Sequence, residues 1–178
     1  MDTYYFSRPF FRLSTKPIVL KDSSHSEIGT MQRYFKDVID KTLSYIVDHW
    51  GINVRVSNHE GSIQVTAHQQ FTWMRHKWNV TSRTGENTVD FVVEDKTVIK
   101  TNPHFIFQAH GQSYSMKKDF ADKRVRLLEQ QTERQVAVIE FESYMPNKIN
   151  NMIMSVTETT LSPYEIVCIY YLFDLCVQ

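Results

Sequence analysis

The sequence predicts a mainly β domain with one amphipathic helix near residues 35–50 and a buried helix at its C-terminus. Three observations predict it. Apolar and polar residues alternate with a period of two in short segments along most of the chain. Apolar residues recur at helical spacing between Phe35 and Trp50, and the chain is apolar almost throughout after Ser162. About ten to twelve short strands at such spacing indicate an antiparallel barrel or sandwich.

The first predicted strands are short and rich in aromatic and β-branched residues. Thr3–Leu13 and Pro17–Leu20 are interrupted by Pro9 and Lys16, a composition typical of edge strands. Ile28–Tyr34 fits one more strand.

A helix is predicted next, because apolar residues occupy one face of a helical repeat and charged residues the other. The apolar positions are Phe35, Val38, Ile39, Leu43, Ile46, Val47 and Trp50. Gly51 ends this helix.

From Ile52 the period becomes two, and turn residues separate successive apolar runs. The first two runs form a hairpin around Asn58–Gly61. The predicted strands are Ile52–Ser57, Ile63–Ala67, the segments around Phe71–Trp73 and Trp78–Val80, Val89–Val93, Thr97–Lys100, Phe105–Phe107, Val125–Leu128, Val136–Phe141 and Met152–Val156.

The C-terminal helix begins with an N-terminal capping box. Ser162 is the N-cap, Pro163 takes the first helical position, and Glu165 follows three residues after the cap. The helix is apolar nearly all round, which favours burial inside the domain over an oligomer interface or membrane contact. Its 16 residues are fewer than the roughly 20 that span a bilayer. Cys168 and Cys176 lie about 12 Å apart on such a helix, too far for a disulfide.

Composition predicts one domain, residues 1–178, with an ordinary core. The 20 basic residues balance the 20 acidic ones, so no net charge draws the chain to nucleic acid. Met1–Phe11 lacks the basic start and apolar run of a signal peptide. We therefore expect a cytoplasmic protein without a transmembrane segment, with peripheral attachment to a membrane as the alternative, and either a monomer or a homodimer.

Catalytic and cofactor motifs are absent from the sequence. The five glycines are isolated, which excludes the glycine-rich loops that bind nucleotide phosphates. Neither Ser62 nor Ser113 lies in a Gly-x-Ser-x-Gly motif. The seven histidines show no metal-ligand spacing on a helix. We expect no cofactor, no metal and no enzymatic activity, the alternative being an enzyme whose site is assembled from separated strands.

Two basic clusters are the candidate binding sites. The denser one is interrupted by Asp119 and Asp122 and consists of Lys117, Lys118, Lys123, Arg124 and Arg126. If these side chains lie on one surface, they would bind an anionic headgroup or an acidic protein. The alternative is that they belong to a solvated loop followed by an exposed strand face. The second cluster, between Trp73 and Trp78, is Arg75, His76 and Lys77. Cations beside flat aromatic rings suit phosphate binding, and the alternative is a tight hairpin whose tryptophans pack in the core.

Three segments resemble the tubby C-terminal-like family, which includes tubby, LURP-one-related proteins and phospholipid scramblases. Glu27–Tyr34 resembles the early strand with its Gly-x-x-x-Arg/Lys pattern, Phe71–Trp78 resembles the central strand pair of bacterial members, and the helix after Leu161 resembles the family's terminal helix. On this resemblance the chain is identified as a bacterial member. The helix near residues 35–50 is not part of the general pattern and is an insertion or a local elaboration.

The resemblance implies a closed antiparallel barrel with the hydrophobic C-terminal helix threaded through its centre. Closure removes exposed strand edges, and an apolar helix fills the lumen. It also implies a non-enzymatic binding domain that recognises an anionic phospholipid headgroup or a protein partner. The alternative is a structural or assembly protein that acts through its hydrophobic C-terminal helix.

Overall fold

The structure is a computed structural model, and it describes residues 1–8, 11, 13–47, 50–72, 75–85, 87–99, 101–119, 122–142 and 150–177. The fold is mainly β: twelve antiparallel strands form a closed barrel, and two helices complete it. The strands are β1 (Asp2–Ser7), β2 (Ile18–Lys21), β3 (Glu27–Tyr34), β4 (Asn53–Asn58), β5 (Ile63–Gln70), β6 (Lys77–Thr84), β7 (Asn87–Asp95), β8 (His104–Ala109), β9 (Gln112–Lys117), β10 (Val125–Glu129), β11 (Gln135–Phe141) and β12 (Asn151–Val156). The helices are α1 (Val38–Ile46) and α2 (Pro163–Val177).

The barrel closes because β1 pairs with both β12 and β2. Its six residues pair with β12 along their whole length, whereas only Tyr5 and Phe6 pair with β2. Neighbouring strands elsewhere approach closely, and a Cβ at Gly29 would lie 2.2 Å from the Ser57 carbonyl oxygen. The close contact between β3 and β4 therefore requires glycine at that position.

Helix α2 fills the barrel, as the resemblance implies. Residues 165–175 are all buried, and alternate residues of every strand pack around them. Phe105 connects wall and helix: its ring stacks on Trp78 and meets Phe173 edge-on, each at 5.2 Å between centroids. A largely apolar helix is stable there because its apolar side chains are removed from water on every face.

Both ends of α2 are held by polar contacts. At the N-terminus the Ser162 amide donates to Glu165 Oε2 at 2.7 Å, and the Glu165 amide donates to Ser162 Oγ at 3.2 Å, which confirms the predicted capping box. The buried Glu165 also lies 2.9 Å from His110 Nε2. Near the C-terminus, Arg8 Nε donates to Asp174 Oδ2 at 2.9 Å. Cys168 and Cys176 are both thiols, as the predicted distance between them requires.

No helix in the described part of the chain is long and apolar enough to cross a membrane.

Helix α1 is shorter than the predicted helix of residues 35–50. Asp37 has an extended backbone and caps the helix by accepting from the Asp40 amide at 2.7 Å, so the helix begins at Val38. Val47 is again extended, which ends the helix at Ile46. Asp48 and His49 lie outside the described residues.

Three predicted strands need correction. Thr97–Lys100 was predicted as a strand, but Asp95 Oδ1 accepts from the Thr97 amide at 2.8 Å and turns the chain there; Lys100 itself is not described. Phe71 follows the end of β5 instead of continuing it, and Trp73 lies outside the described residues. The first strand ends at Ser7, well before Leu13.

Candidate interaction surface at the long-loop end

The two ends of the barrel differ in the length of their connections. Successive antiparallel strands run in opposite directions, so alternate connections lie at the same end. The described residues at one end are 8, 11, 13–17, 35–47, 50–52, 71–72, 75–76, 96–99, 101–103, 118–119, 122–124, 142 and 150, and we call it the long-loop end. Those at the other, the short-turn end, are 22–26, 59–62, 85, 110–111, 130–134 and 157–162. The Arg8–Asp174 ion pair places the C-terminal part of α2 toward the long-loop end.

Charge is divided between these ends. Among described residues, the long connections carry nine basic side chains against five acidic ones. The basic ones are Arg8, Lys16, Lys36, Lys41, Arg75, Lys96, Lys118, Lys123 and Arg124; the acidic ones are Asp37, Asp40, Asp119, Asp122 and Glu142. The described residues of the short connections include one basic side chain, Arg134, and four acidic ones, Asp22, Glu60, Glu133 and Glu158. A neutral chain therefore has one basic end and one acidic end.

Exposed apolar side chains are divided in the same way. The long connections contain nine large apolar residues exposed to solvent, namely Phe11, Val38, Ile39, Tyr45, Ile46, Val47, Phe71, Val98 and Ile99. Within the described residues, the short connections contain no exposed large apolar side chain. Exposed apolar groups gathered in one region mark an interaction surface.

Helix α1 contributes five of these residues, counting its C-cap Val47, because only Asp40, Leu43 and Ser44 of the helix are half-buried. No residue of α1 is buried. The half-buried Asp40 anchors it, accepting from Trp50 Nε1 and Asn53 Nδ2 at 3.1 Å each. Ile46, by contrast, is 77% exposed. A surface helix normally turns its apolar face to the core, so this exposed apolar face is the clearest departure from a purely structural role.

The predicted basic run reaches the long-loop end at the corner between β9 and β10. Lys117 lies between His104 and Arg126 across three neighbouring strands. Arg126 forms ion pairs with Asp119 and Asp122, and Arg124 also pairs with Asp122. Burial and then the charge of Lys117 lower the pKa of His104. The predicted cluster therefore lies at one corner, where Asp119 and Asp122 offset part of its positive charge. Its members are Lys117, Lys118, Lys123, Arg124 and Arg126.

The second predicted cluster lies three strands away around the barrel, before and at the start of β6. Lys77 Nζ lies 2.7 Å from Glu94 Oε1, and Lys96 pairs with the same carboxylate. Hydrogen bonds from Lys77 and Lys96 lower the pKa of Glu94 to about 2, and the bond from Lys77 has the larger effect. His76 contacts Gln69, and Trp78 is buried in the core. Arg75, His76 and Lys77 therefore belong to the same end as the basic run but not to the same corner.

Two cavities at or beside this end were not predicted from the sequence. The first, which we call the wall groove, measures about 780 Å³ and runs along the seam where β1 and β2 separate. Its charged lining is mostly basic, comprising Arg8, Lys16, Lys21 and Glu142. Tyr5 and His25 stack within it at 4.6 Å between ring centroids.

The second cavity, the α1 cleft, measures about 470 Å³ and separates the α1 connection from the β5–β6 connection. Trp50 and Phe71 meet edge-on in its wall, 5.5 Å apart. Asp40, Asn53, Gln69 and other polar side chains line the remainder. Alternate connections are rich in apolar and basic residues, and this composition was the only sequence feature that could have indicated the two cavities. It can be recognised only when the strand order shows that these connections lie at one end.

Comparison with known proteins follows the fold. Residues 4–177 match the family model described as Tubby C-terminal like domain. No curated protein matches the chain. Among solved structures, the chain is similar to an X-ray structure of a protein from Arabidopsis thaliana, with a TM-score of 0.54 and 9% sequence identity. That likeness covers 97% of this chain and 89% of the plant protein, and it supports the fold alone.

Proposed function

The chain belongs to the Tubby C-terminal-like domain family, and on that premise we propose that it is a binding domain that docks on anionic phospholipid surfaces through its long-loop end. The family is associated with lipid or protein binding and is generally non-enzymatic. The single observation that carries the proposal is the segregation of exposed apolar and basic side chains at one end of a neutral barrel.

Both kinds of side chain contribute to docking. Lysines near an anionic surface contribute about 1 kcal/mol each, and the attraction decays within a Debye length. The apolar side chains of α1 enter the headgroup region as an amphipathic helix does when it lies in the membrane plane. The acidic short-turn end is repelled by the same surface, which fixes the orientation of the barrel. Because anionic lipids are enriched in the cytoplasmic leaflet, this role is that of a peripheral protein on the cytoplasmic side.

The wall groove gives the headgroup a specific location. Arg8 and Lys16 lie where the groove meets the long-loop end, so a headgroup phosphate enters the groove there while the loop tips contact lipid. Docking through general charge can then be measured separately from recognition of a headgroup, because only headgroup recognition depends on the groove.

The experiment is co-sedimentation with neutral phosphatidylcholine vesicles and with vesicles containing phosphatidylserine, at about 0.15 M salt. The chain should bind the anionic vesicles, and Lys16→Gln with Lys118→Gln should weaken binding by about thirtyfold, because two surface lysines contribute about 2 kcal/mol together. Arg83→Gln with Arg134→Gln removes the same charge at the short-turn end and should leave affinity unchanged.

Two results would contradict the proposal. One is no binding to the anionic vesicles, which would assign the same surface to a protein partner. The other is an equal loss of affinity in both double variants, which would mean that net charge alone governs binding. A third vesicle, with phosphoinositide replacing phosphatidylserine at equal charge, tests the groove: headgroup recognition predicts tighter binding there and a larger effect of Lys16→Gln.

A further inference from the structure

The α1 cleft has a fixed polar floor. Asn53 is 1% exposed; its Oδ1 accepts from the Gln69 amide at 3.0 Å and its Nδ2 donates to Asp40. Gln69 Oε1 accepts from the Ile52 amide at 2.8 Å, and its side-chain nitrogen lies 3.1 Å from His76 Nδ1. These bonds hold amide and carboxylate groups in set orientations, so the floor is preorganised before any ligand binds.

The cleft also has an aromatic wall that the core does not use. Phe71 is 66% exposed although its ring contacts Trp50. The Trp50 indole is itself fixed, because its Nε1 donates to Asp40 Oδ1. An exposed ring beside an oriented indole offers an apolar face to a ligand that enters between the two connections.

Charge in the cleft indicates a neutral ligand. Asp40 accepts three N–H groups, from Lys36, Trp50 and Asn53, which disperse its charge and weaken its attraction for a cation. A carboxylate has about four acceptor directions, so Asp40 can accept one more hydrogen bond. Lys36 also lines the cleft and offsets the charge of Asp40, so the net charge of this pair favours neither an anion nor a cation.

From these observations we propose that the α1 cleft binds a neutral polyhydroxylated ring, that is, a saccharide. The C–H face of a sugar ring packs on an aromatic side chain. Its hydroxyl groups match side-chain amides, which donate and accept in fixed directions, and a carboxylate, which accepts. The volume of about 470 Å³ is within the usual range of small-molecule sites. This site shares Lys36 and Phe71 with the surface proposed to dock on anionic lipid, but its ligand is neutral. That ligand has two sources: a free sugar or the neutral sugar headgroup of a glycolipid.

The probe for a free sugar is a set of methyl glycosides of glucose, galactose and mannose, titrated at millimolar concentration into labelled protein without membranes. The readout is the indole N–H resonance of Trp50, assigned by loss of its signal in Trp50→Phe. At least one glycoside should shift this resonance in a saturable way. Phe71→Ala should weaken that binding about tenfold by removing the aromatic face, and Phe71→Trp should restore it.

The matched control is Ile46→Ala, which removes an exposed apolar side chain from the same end but outside the cleft. It should leave the glycoside affinity unchanged. Neutral vesicles that contain glucosyl diacylglycerol identify the source. If the chain is retained on these vesicles and Phe71→Ala abolishes that retention, the ligand is a glycolipid. If the chain binds only the free glycoside, the ligand is a soluble sugar.

No response to the glycosides together with no retention on the glycolipid vesicles would overturn the proposal, and so would binding that Phe71→Ala leaves intact. Neither outcome bears on docking to anionic lipid, because none of these probes carries a negative charge.

Discussion

The short-turn end and the long-loop end of this barrel are formed by the same strands, yet they differ in the length of their connections, in charge and in the exposure of apolar side chains. At the short-turn end the connections are short and acidic, and the buried Glu165 joins the start of α2 to His110. At the long-loop end the connections are longer and basic, and they expose apolar side chains. We therefore expect stability to depend more on the first end, and binding on the second.

The largest expected effect concerns stability at the short-turn end. Glu165→Ala removes a buried carboxylate from His110 and from the Ser162 amide, and should lower the free energy of unfolding by about 3 kcal/mol. Asp37→Ala, at the cap of α1, should cost about 1 kcal/mol or less, since that cap is exposed. Urea denaturation measures both. Similar losses of unfolding free energy in the two variants would contradict the claim that stability depends more on the short-turn end.

A smaller effect is expected from a matched pair of isoleucines. Ile46→Gln on α1 should weaken binding to anionic vesicles by about tenfold, because a side chain 77% exposed in the free protein becomes buried in the headgroup region. Ile63→Gln, at the short-turn end and 38% exposed, should leave vesicle affinity unchanged. Equal affinities of the two variants would exclude insertion of α1. Vesicle titration should be paired with thermal unfolding, where Ile46→Gln should be nearly neutral.

An ion-pair cluster at the long-loop end should respond to acid. Hydrogen bonds from Lys77 and then Lys96 hold the pKa of Glu94 at about 2. A depressed carboxyl pKa contributes stability that is present above the unfolded pKa of about 4.3 and is lost as pH falls toward 2. The free energy of unfolding should therefore drop less steeply over that window in Lys77→Gln than in the parent chain. Identical slopes would show that this pair does not couple to folding.

The smallest effect is a local one at the β9–β10 corner. Burial lowers the pKa of His104, and Lys117 lowers it further, while Asp95 acts in the opposite direction. Lys117→Gln should raise that pKa part of the way toward the ordinary histidine value, and an NMR titration of the His104 ring measures it. An unchanged pKa would mean that Lys117 points away from His104 and from the surface assigned to the corner.

Much of the fold was predictable because its signals are local. The period of two identified most strands, and Ser162 with Glu165 fixed the start of α2. Strand β9 was missed since its polar residues obscure the inward-facing Tyr114 and Met116. Thr97 was misassigned to a strand because the turn made by Asp95 depends on a side-chain hydrogen bond that composition does not reveal.

The candidate surface was only partly predictable. Sequence identified Lys118 and Arg75 as members of basic clusters, but not that the two clusters lie at the same end, which depends on strand order. The α1 cleft was missed because it joins Asp40, Trp50 and Phe71 from two connections that are distant in sequence. The helical pattern placed Asp40 on the charged face of α1, but it could not reveal that Asp40 anchors the helix through hydrogen bonds from Trp50 and Asn53.

The most direct test of the central claim, that the long-loop end meets the membrane, is an environment-sensitive fluorophore placed at each end. It is attached to Val98→Cys or to Glu60→Cys, both exposed positions, in a Cys176→Ser background. Cys168 can remain, because burial raises the pKa of its thiol and shields it from the reagent. On addition of anionic vesicles, the emission of the label at residue 98 should shift to the blue while that at residue 60 stays unchanged. A shift at residue 60, or at neither position, would contradict the orientation proposed for this domain.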